Sequence, residues 1–156
     1  MYGPILFIHS WVRWGVLLGA LFLIVRTTWA SLSRQNWTAR DNYWVWAYGQ
    51  IFGYQLIFGL TLYFGLSPMT RSAFQNFSEA MENPVLFFWS IRHPLTLILA
   101  FAVFVLGKRL CFNRLSLETR HRGMAAVLWV STAILLSAIP WPVLEYGRPW
   151  VRGFTP

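Results

Sequence analysis

Four long apolar stretches constrain the fold of this sequence more than any other feature. They cover residues 4–25, 44–66, 85–107 and 124–144, and each approaches the roughly 20 residues that a helix needs to cross a hydrocarbon core about 30 Å thick. The mean hydropathy of +0.47 and the charged fraction of 12% lie outside the range of water-soluble domains. We therefore expect residues 1–156 to form a single domain, an all-α membrane protein whose four transmembrane helices make an up-and-down bundle.

The basic residues are concentrated in two of the three connections between these stretches. The connection after the second stretch contains one cationic residue, Arg71. The other two connections contain Arg26, Arg34, Arg40, Lys108, Arg109, Arg114, Arg120 and Arg122. By the positive-inside rule these two connections are cytoplasmic, which places both termini on the periplasmic side of a bacterial inner membrane. This distribution accounts for the net charge of +8, so membrane lipids are expected partners and nucleic acid is not.

Two histidines lie inside apolar stretches at similar depth. Ionisable groups cost about 2.5–3.5 kcal/mol at the centre of a membrane helix, so those present usually serve a function. His9 lies five residues inside the outer end of the first stretch and His93 eight residues inside that of the third. At about 1.5 Å per residue their depths differ by only some 5 Å. Matching imidazoles on two helices indicate bis-histidine ligation of one haem b, held non-covalently because Cys111 is the only cysteine.

Charge and space for such a haem are also present in the sequence. Arginines occur four residues after His9, directly before His93, and just beyond the fourth stretch. Guanidinium groups pair well with carboxylates, so these arginines are candidate partners of the haem propionates. Gly59 and Ser137 lie at similar depth and leave room for a porphyrin edge. The predicted site therefore has two iron ligands, His9 and His93, and four main further contacts, Arg13, Arg92, Gly59 and Arg148.

The two histidines and Arg148 also have simpler structural interpretations. The two histidines are alternatively interhelical hydrogen-bonding groups, and Arg148 is alternatively an interfacial arginine that reaches the headgroups. Gln55 and Tyr54 are candidate quinone contacts, although a membrane glutamine more often joins helices.

Two further residues carry local predictions. His121, between two arginines on the opposite side of the membrane, is expected to contact a lipid phosphate or solvent. Pro94 removes a backbone hydrogen bond and predicts a kink beside His93, with neighbouring groups replacing the lost bond.

Several short motifs also resemble a known group of proteins. They are His9-Ser-Trp-Val-Arg13-Trp, Gly59-Leu-Thr-Leu-Tyr63, Met81-Glu-Asn-Pro84, His93, His121 with its arginines, Ala138-Ile-Pro-Trp-Pro142 and Gly147-Arg-Pro-Trp150. In this order they resemble small bacterial four-helix membrane proteins labelled as b-type cytochromes, over nearly the whole chain. A looser similarity is to cytochrome b561-type bundles and to the membrane anchors of succinate dehydrogenase, whose own motifs are absent here. The resemblance implies haem b held between helices.

Together these observations predict an electron-transfer protein rather than a stand-alone enzyme. It would carry electrons through a haem b between the first and third helices, either alone or as a membrane subunit of a larger redox complex, with quinone as a further candidate partner. The alternative is a structural or assembly subunit without a cofactor.

Overall fold

The computed structural model describes residues 1–153, which are all helical apart from turns and connections and contain no strand within that range. Two π-helical turns, Leu62–Leu66 and Phe88–Arg92, interrupt or extend the α-helices. The α-helices are α1 Tyr2–Leu32, α2 Ala39–Thr61, α3 Pro68–Gln75, α4 Phe77–Glu82, α5 Pro84–Phe87, α6 His93–Arg114 and α7 Arg120–Ser137.

The four long helices pack in a closed ring. Helix α1 packs against α2 and α7, and α6 packs against the same two helices. The interior contains large apolar side chains that are almost completely buried, among them Leu23, Phe52, Phe104, Met124 and Leu128. The outward faces are apolar as well, with Leu18, Leu95 and Leu110 each more than 60% exposed. A bundle that is apolar on both its inner and outer surfaces is typical of a protein whose solvent is lipid.

Two helices are long and apolar enough to cross a membrane, namely Tyr2–Leu32 and the continuous run Pro84–Arg114. A third span exists if Ala39–Leu66 and Pro68–Gln75, which meet at an angle of 56°, are counted as one. Helix α7 does not meet the same criteria. The structure therefore confirms an all-helical protein with two or three apolar candidate spans.

The fourth apolar stretch is helical only in part. Helix α7 begins at Arg120 and ends at Ser137, although the stretch continues to residue 144. Pro140 lacks a backbone N–H and disfavours helical geometry at Ile139, and Pro142 repeats the effect two residues later. Residues 138–153, which we call the C-terminal segment, instead turn back across the end of the bundle, where the Arg148 N–H donates to the carbonyl of Pro140.

The connection between α2 and α6 contains three short helices. Ser67 caps α3, with Pro68 as its first residue, and Asn83 caps α5, with Pro84 as its first residue. A polar cap followed by proline begins a helix favourably, because proline occupies a position whose N–H has no partner in the helix. The caps thus lead the chain from the 56° bend into the continuous helix ending at Arg114.

Pro94 is accommodated by the second π turn. Because Pro94 has no N–H, the carbonyl of Ser90, four residues earlier, loses its normal helical donor. The hydroxyl of Tyr63, in the first π turn, donates to that carbonyl at 2.7 Å. The expected repair of the lost bond is confirmed, and it joins the two π turns directly.

His121 contradicts its sequence-based prediction of a lipid or solvent contact. Its side chain is completely buried, its Nε2 lies 3.6 Å from a carboxylate oxygen of Asp41, and its ring packs against Trp37 at 4.7 Å. The other oxygen of Asp41 pairs with Arg26 at 3.1 Å. The reason is that the first turn of α7 brings His121 beside the first turn of α2, where Asp41 also completes the capping box of Thr38. Burial lowers the pKa of the His121 imidazole by more than the nearby Asp41 raises it. The lowered pKa favours a neutral ring.

Close contact between α6 and α7 depends on Gly107. A β-carbon at this position would lie 2.6 Å from the side chain of Val127, whereas a β-carbon at Gly15 would meet Ile51 at an ordinary 3.5 Å. We predict that Gly107→Ala lowers the free energy of unfolding by about 1–3 kcal/mol, the usual cost of overpacking. Thermal denaturation in detergent measures this, with Gly15→Ala as the control. Equal stability of the two variants would contradict the packing of α6 on α7.

Candidate functional site

A cavity lies among α1, α2, α6 and the C-terminal segment, at the end of the bundle opposite Asp41. It measures about 150 Å³ and belongs to about 1310 Å³ of atom-free space that extends to the outside. Most of its wall is apolar. Its polar and charged lining side chains are His9, Ser10, Arg13, Gln55, Tyr63, Ser67, Thr70, Trp89, His93, Arg148 and Arg152. An apolar cavity with a few converging polar groups is the usual form of a ligand site.

His9 reaches this cavity from α1. A β-carbon at Gly59 would lie 3.1 Å from Cε1 of the His9 ring, so glycine is what allows the imidazole to lie against α2. On its other side, Nε2 of His9 lies 3.3 Å from the amide nitrogen of Gln55. The amide nitrogen can only donate, so Nε2 is the acceptor and Nδ1 carries the proton. Nδ1 is buried and has no hydrogen-bond partner among residues 1–153.

His93 reaches the cavity from the first turn of α6. Its Nδ1 lies 2.8 Å from the carbonyl oxygen of Ala138. A carbonyl only accepts, so Nδ1 donates and Nε2 retains a free lone pair. The centre of the His93 ring lies 5.2 Å from the centre of the Trp89 ring and 5.6 Å from that of Phe88. An imidazole whose Nδ1–H is bonded to a backbone carbonyl is oriented as metal-ligating histidines commonly are.

Three arginines contribute to the cavity wall, one from α1 and two from the C-terminal segment. They are Arg13, Arg148 and Arg152. In the described part of the chain the ion pairs of Asp41 with Arg26 and His121 lie at the other end of the bundle, and none of these three arginines pairs with a carboxylate. An apolar cavity edged by three uncompensated guanidinium groups favours a ligand that carries negative charge.

The C-terminal segment is held against α1 by its backbone. The carbonyl of Trp150 accepts hydrogen bonds from the Arg13 guanidinium and the Trp14 indole, each at 3.0 Å. The guanidinium of Arg148 lies 4.8 Å from the centre of the Trp89 ring, and Tyr146 stacks on Phe88 at 3.7 Å. These contacts fix the two arginines of the segment at the cavity.

The structure brings together five of the six residues that the sequence predicted for the site. His9, Arg13, Gly59, His93 and Arg148 all line the one cavity. Arg92 does not line it and has an exposed side chain, because its neighbour His93 takes the inward position and consecutive helical residues face different directions. Ser137 is also exposed and donates to the carbonyl of Ile134 within α7.

Sequence reasoning missed Arg152 and assigned no contact to Trp89. Arg152 is brought to the cavity by the return of the C-terminal segment, which no helical periodicity predicts, and Trp89 is placed there by the second π turn. The motif Gly147-Arg-Pro-Trp150 was the available signal, since its glycine is tightly constrained. A β-carbon at Gly147 would meet the backbone oxygens of Leu144 at 2.7 Å and of Trp141 still more closely.

The π turns at the edge of the cavity are a second indication of a functional site. Single π-helical turns are rare and occur often at such sites. Here two of them, joined by the bond from Tyr63 to Ser90, place Leu62, Tyr63 and Trp89 in the cavity wall.

Comparisons of the chain with protein-family models, with curated proteins and with solved structures found no match.

The hydrogen bond from Tyr63 to Ser90 gives a direct test of this geometry. Tyr63→Phe removes the replacement donor of a carbonyl freed by proline, and we predict a loss of about 0.5–1.5 kcal/mol in the free energy of unfolding. Tyr54→Phe is the matched control, since Tyr54 is 56% exposed. Denaturation in detergent compares the two variants, and a loss no larger for Tyr63→Phe than for Tyr54→Phe would contradict the link between the π turns.

Proposed function

We propose that this protein is a membrane-embedded b-type cytochrome that binds one haem b non-covalently in the cavity between α1 and α6. The observation that supports this most is the presence of His9 and His93, from two separate helices, in the wall of the same cavity. No group of three or more His, Cys, Asp or Glu side chains that could hold a metal ion occurs in the described part of the chain. Haem iron needs only two protein ligands, because the porphyrin supplies the other four nitrogens.

The side chains around the two histidines fit this cofactor. His93 offers Nε2 as a ligand, with its ring already oriented by Ala138. His9 offers Nε2 once that atom gives up its contact with Gln55. Gly59 lacks the side chain that would compete with the His9 ring for space, and the remaining wall is largely apolar, as a porphyrin face requires.

The propionates would be held by arginines of helix α1 and of the C-terminal segment. Arg13, Arg148 and Arg152 supply positive charge at one end of the cavity without a carboxylate of their own. This assignment retains Arg13 and Arg148 from the sequence prediction, and Arg152 takes the role first given to Arg92, which lies outside the cavity. Bidentate pairing of guanidinium with carboxylate would both neutralise and orient the cofactor.

The bound haem would supply a one-electron Fe(III)/Fe(II) couple. The protein would hold the iron through His9 and His93, compensate the propionate charge with arginines, and surround the iron with apolar side chains that tune its potential. We propose four membrane spans in a bacterial inner membrane, with the haem and both termini on the periplasmic side, because the basic connections lie at the other end of the bundle. Its redox partner would be another subunit of a membrane complex, and a quinone is a further candidate.

Absorption spectra of the detergent-purified protein, before and after dithionite, test the haem assignment. Wild-type protein from haem-replete cells should show a sharp Soret band and a reduced α-band of low-spin haem b. Both features should be lost in His9→Ala and in His93→Ala. His121→Ala is the matched control and should retain them, since this histidine lies at the other end of the bundle. A folded but colourless wild-type protein would instead favour a structural subunit without a cofactor.

The arginine assignments have a separate test. Arg148→Gln should weaken haem retention during purification, because it removes a propionate partner from the cavity wall, whereas Arg92→Gln should not. The haem-to-protein ratio after a fixed number of detergent washes measures this difference. Equal ratios for the two variants, with both proteins folded, would contradict the propionate end proposed here.

A further inference from the structure

Polar side chains are rare in the interior of this bundle. Those present form one group at each end and a few isolated positions between them. At one end is the cluster of Arg26, Asp41 and His121, and at the other is the cavity with His9 and Gln55. Within residues 1–153, several of their atoms are buried without a hydrogen-bond partner, including both His121 ring nitrogens, the Tyr48 hydroxyl and the Gln55 carbonyl oxygen. Such groups are costly in an apolar interior, so each calls for a partner such as water.

Helix α2 connects the two ends along one face. Asp41, Tyr48 and Gln55 are buried and follow one another at intervals of seven residues. Seven residues make nearly two helical turns, so the three side chains share a face and rise by about 10.5 Å at each step. Side chains in a helix lean toward its N-terminus, which directs the Tyr48 hydroxyl toward Asp41 and shortens that gap.

Each of these three positions in α2 lies beside a particular part of α1. Arg26 pairs with Asp41, a β-carbon at Gly19 would lie 3.0 Å from the Tyr48 ring, and Gly59 faces His9. The two helices therefore run antiparallel in a fixed register, from the cluster at one end to the cavity at the other. Thr27, which is 1% exposed, lies one residue from Arg26 and adds a hydroxyl near the level of Asp41.

A hydroxyl from α7 lies at a level of the bundle between those of Tyr48 and Gln55. Ser131 is 1% exposed and donates to the carbonyl of Ala100 at 2.8 Å. The neighbouring Phe101 packs on Phe52, which is midway between Tyr48 and Gln55 in α2. Ser131 thus provides a polar group at a level between the Tyr48 hydroxyl and Gln55, where the gap between polar side chains of α2 is widest.

We propose that these side chains form a proton pathway from the Asp41–His121 cluster, through water at Tyr48 and Ser131, to Gln55 and the cavity. A proton taken from bulk water at the cluster would pass along hydrogen-bonded hydroxyls and waters and be released to water at the cavity. No group is oxidised or reduced, and the transferred charge is balanced by a counter-ion. Asp, Glu and His side chains inside membrane proteins form proton relays in pumps and transporters. The inference does not depend on haem.

Proton flux into liposomes containing the full-length protein tests this pathway. A potassium diffusion potential set by valinomycin drives protons inward, and trapped pyranine reports the internal pH. We expect the wild-type protein to acidify the vesicles several-fold faster than protein-free liposomes. Tyr48→Phe should return the rate to that of protein-free liposomes, while Tyr54→Phe, on the exposed side of the same helix, should leave it unchanged.

Tyr48→Phe should block the pathway without disturbing the packing of the bundle. It removes a hydroxyl that has no protein partner within the described residues and leaves the ring that packs on Phe104, so the fold should be retained. Circular dichroism checks this, and Asp41→Asn provides a second block at the entrance. Wild-type flux no greater than that of protein-free liposomes, or equal flux in wild type and Tyr48→Phe, would overturn the pathway. The absorption spectrum of the same sample reports haem separately, so the two proposals fail independently.

Discussion

Polar groups enclosed in an apolar helical bundle need partners, and lipid cannot provide them. This constraint accounts for most of the unusual features of the structure. The carbonyl freed by Pro94 accepts from Tyr63, and that bond explains why two π turns lie side by side. The carbonyl of Ala138, at the end of α7, orients His93. Among residues 1–153, Nδ1 of His9 and the carbonyl oxygen of Gln55 have no hydrogen-bond partner, and both residues line the cavity.

The two ends of the bundle meet this constraint differently. At one end Asp41 is paired with Arg26 and lies close to His121, so the buried charge is compensated within the protein. At the cavity end three guanidinium groups have no carboxylate partner among the described residues. Compensation there must come from solvent or from a ligand, and an apolar wall favours a ligand that is itself largely apolar and carries acidic groups. Haem b has both properties.

Much of this arrangement was predictable from the sequence, because hydrophobic length and the position of charges act locally. The apolar stretches predicted the long helices, and the similar depths of His9 and His93 indicated a shared site, in agreement with the cavity that both residues line. The predictions were wrong where tertiary packing decided the outcome. Arg92 and His93 are adjacent, and only the orientation of α6 determines which of them faces inward. His121 has basic neighbours typical of a surface, yet Asp41 and Trp37 from distant positions enclose it. The return of residues 138–153 depends on turns that periodicity does not describe.

The proposed coordination of haem iron by His9 and His93 has its sharpest test in electron paramagnetic resonance of the oxidised protein. Two imidazole ligands make ferric haem low-spin, and loss of one leaves an open position that favours the high-spin form. We expect a low-spin signal in the wild type and a high-spin signal, or none, in His9→Ala and His93→Ala. A low-spin signal unchanged in either variant, or the absence of any haem signal from a folded wild-type protein expressed in haem-replete cells, would contradict it.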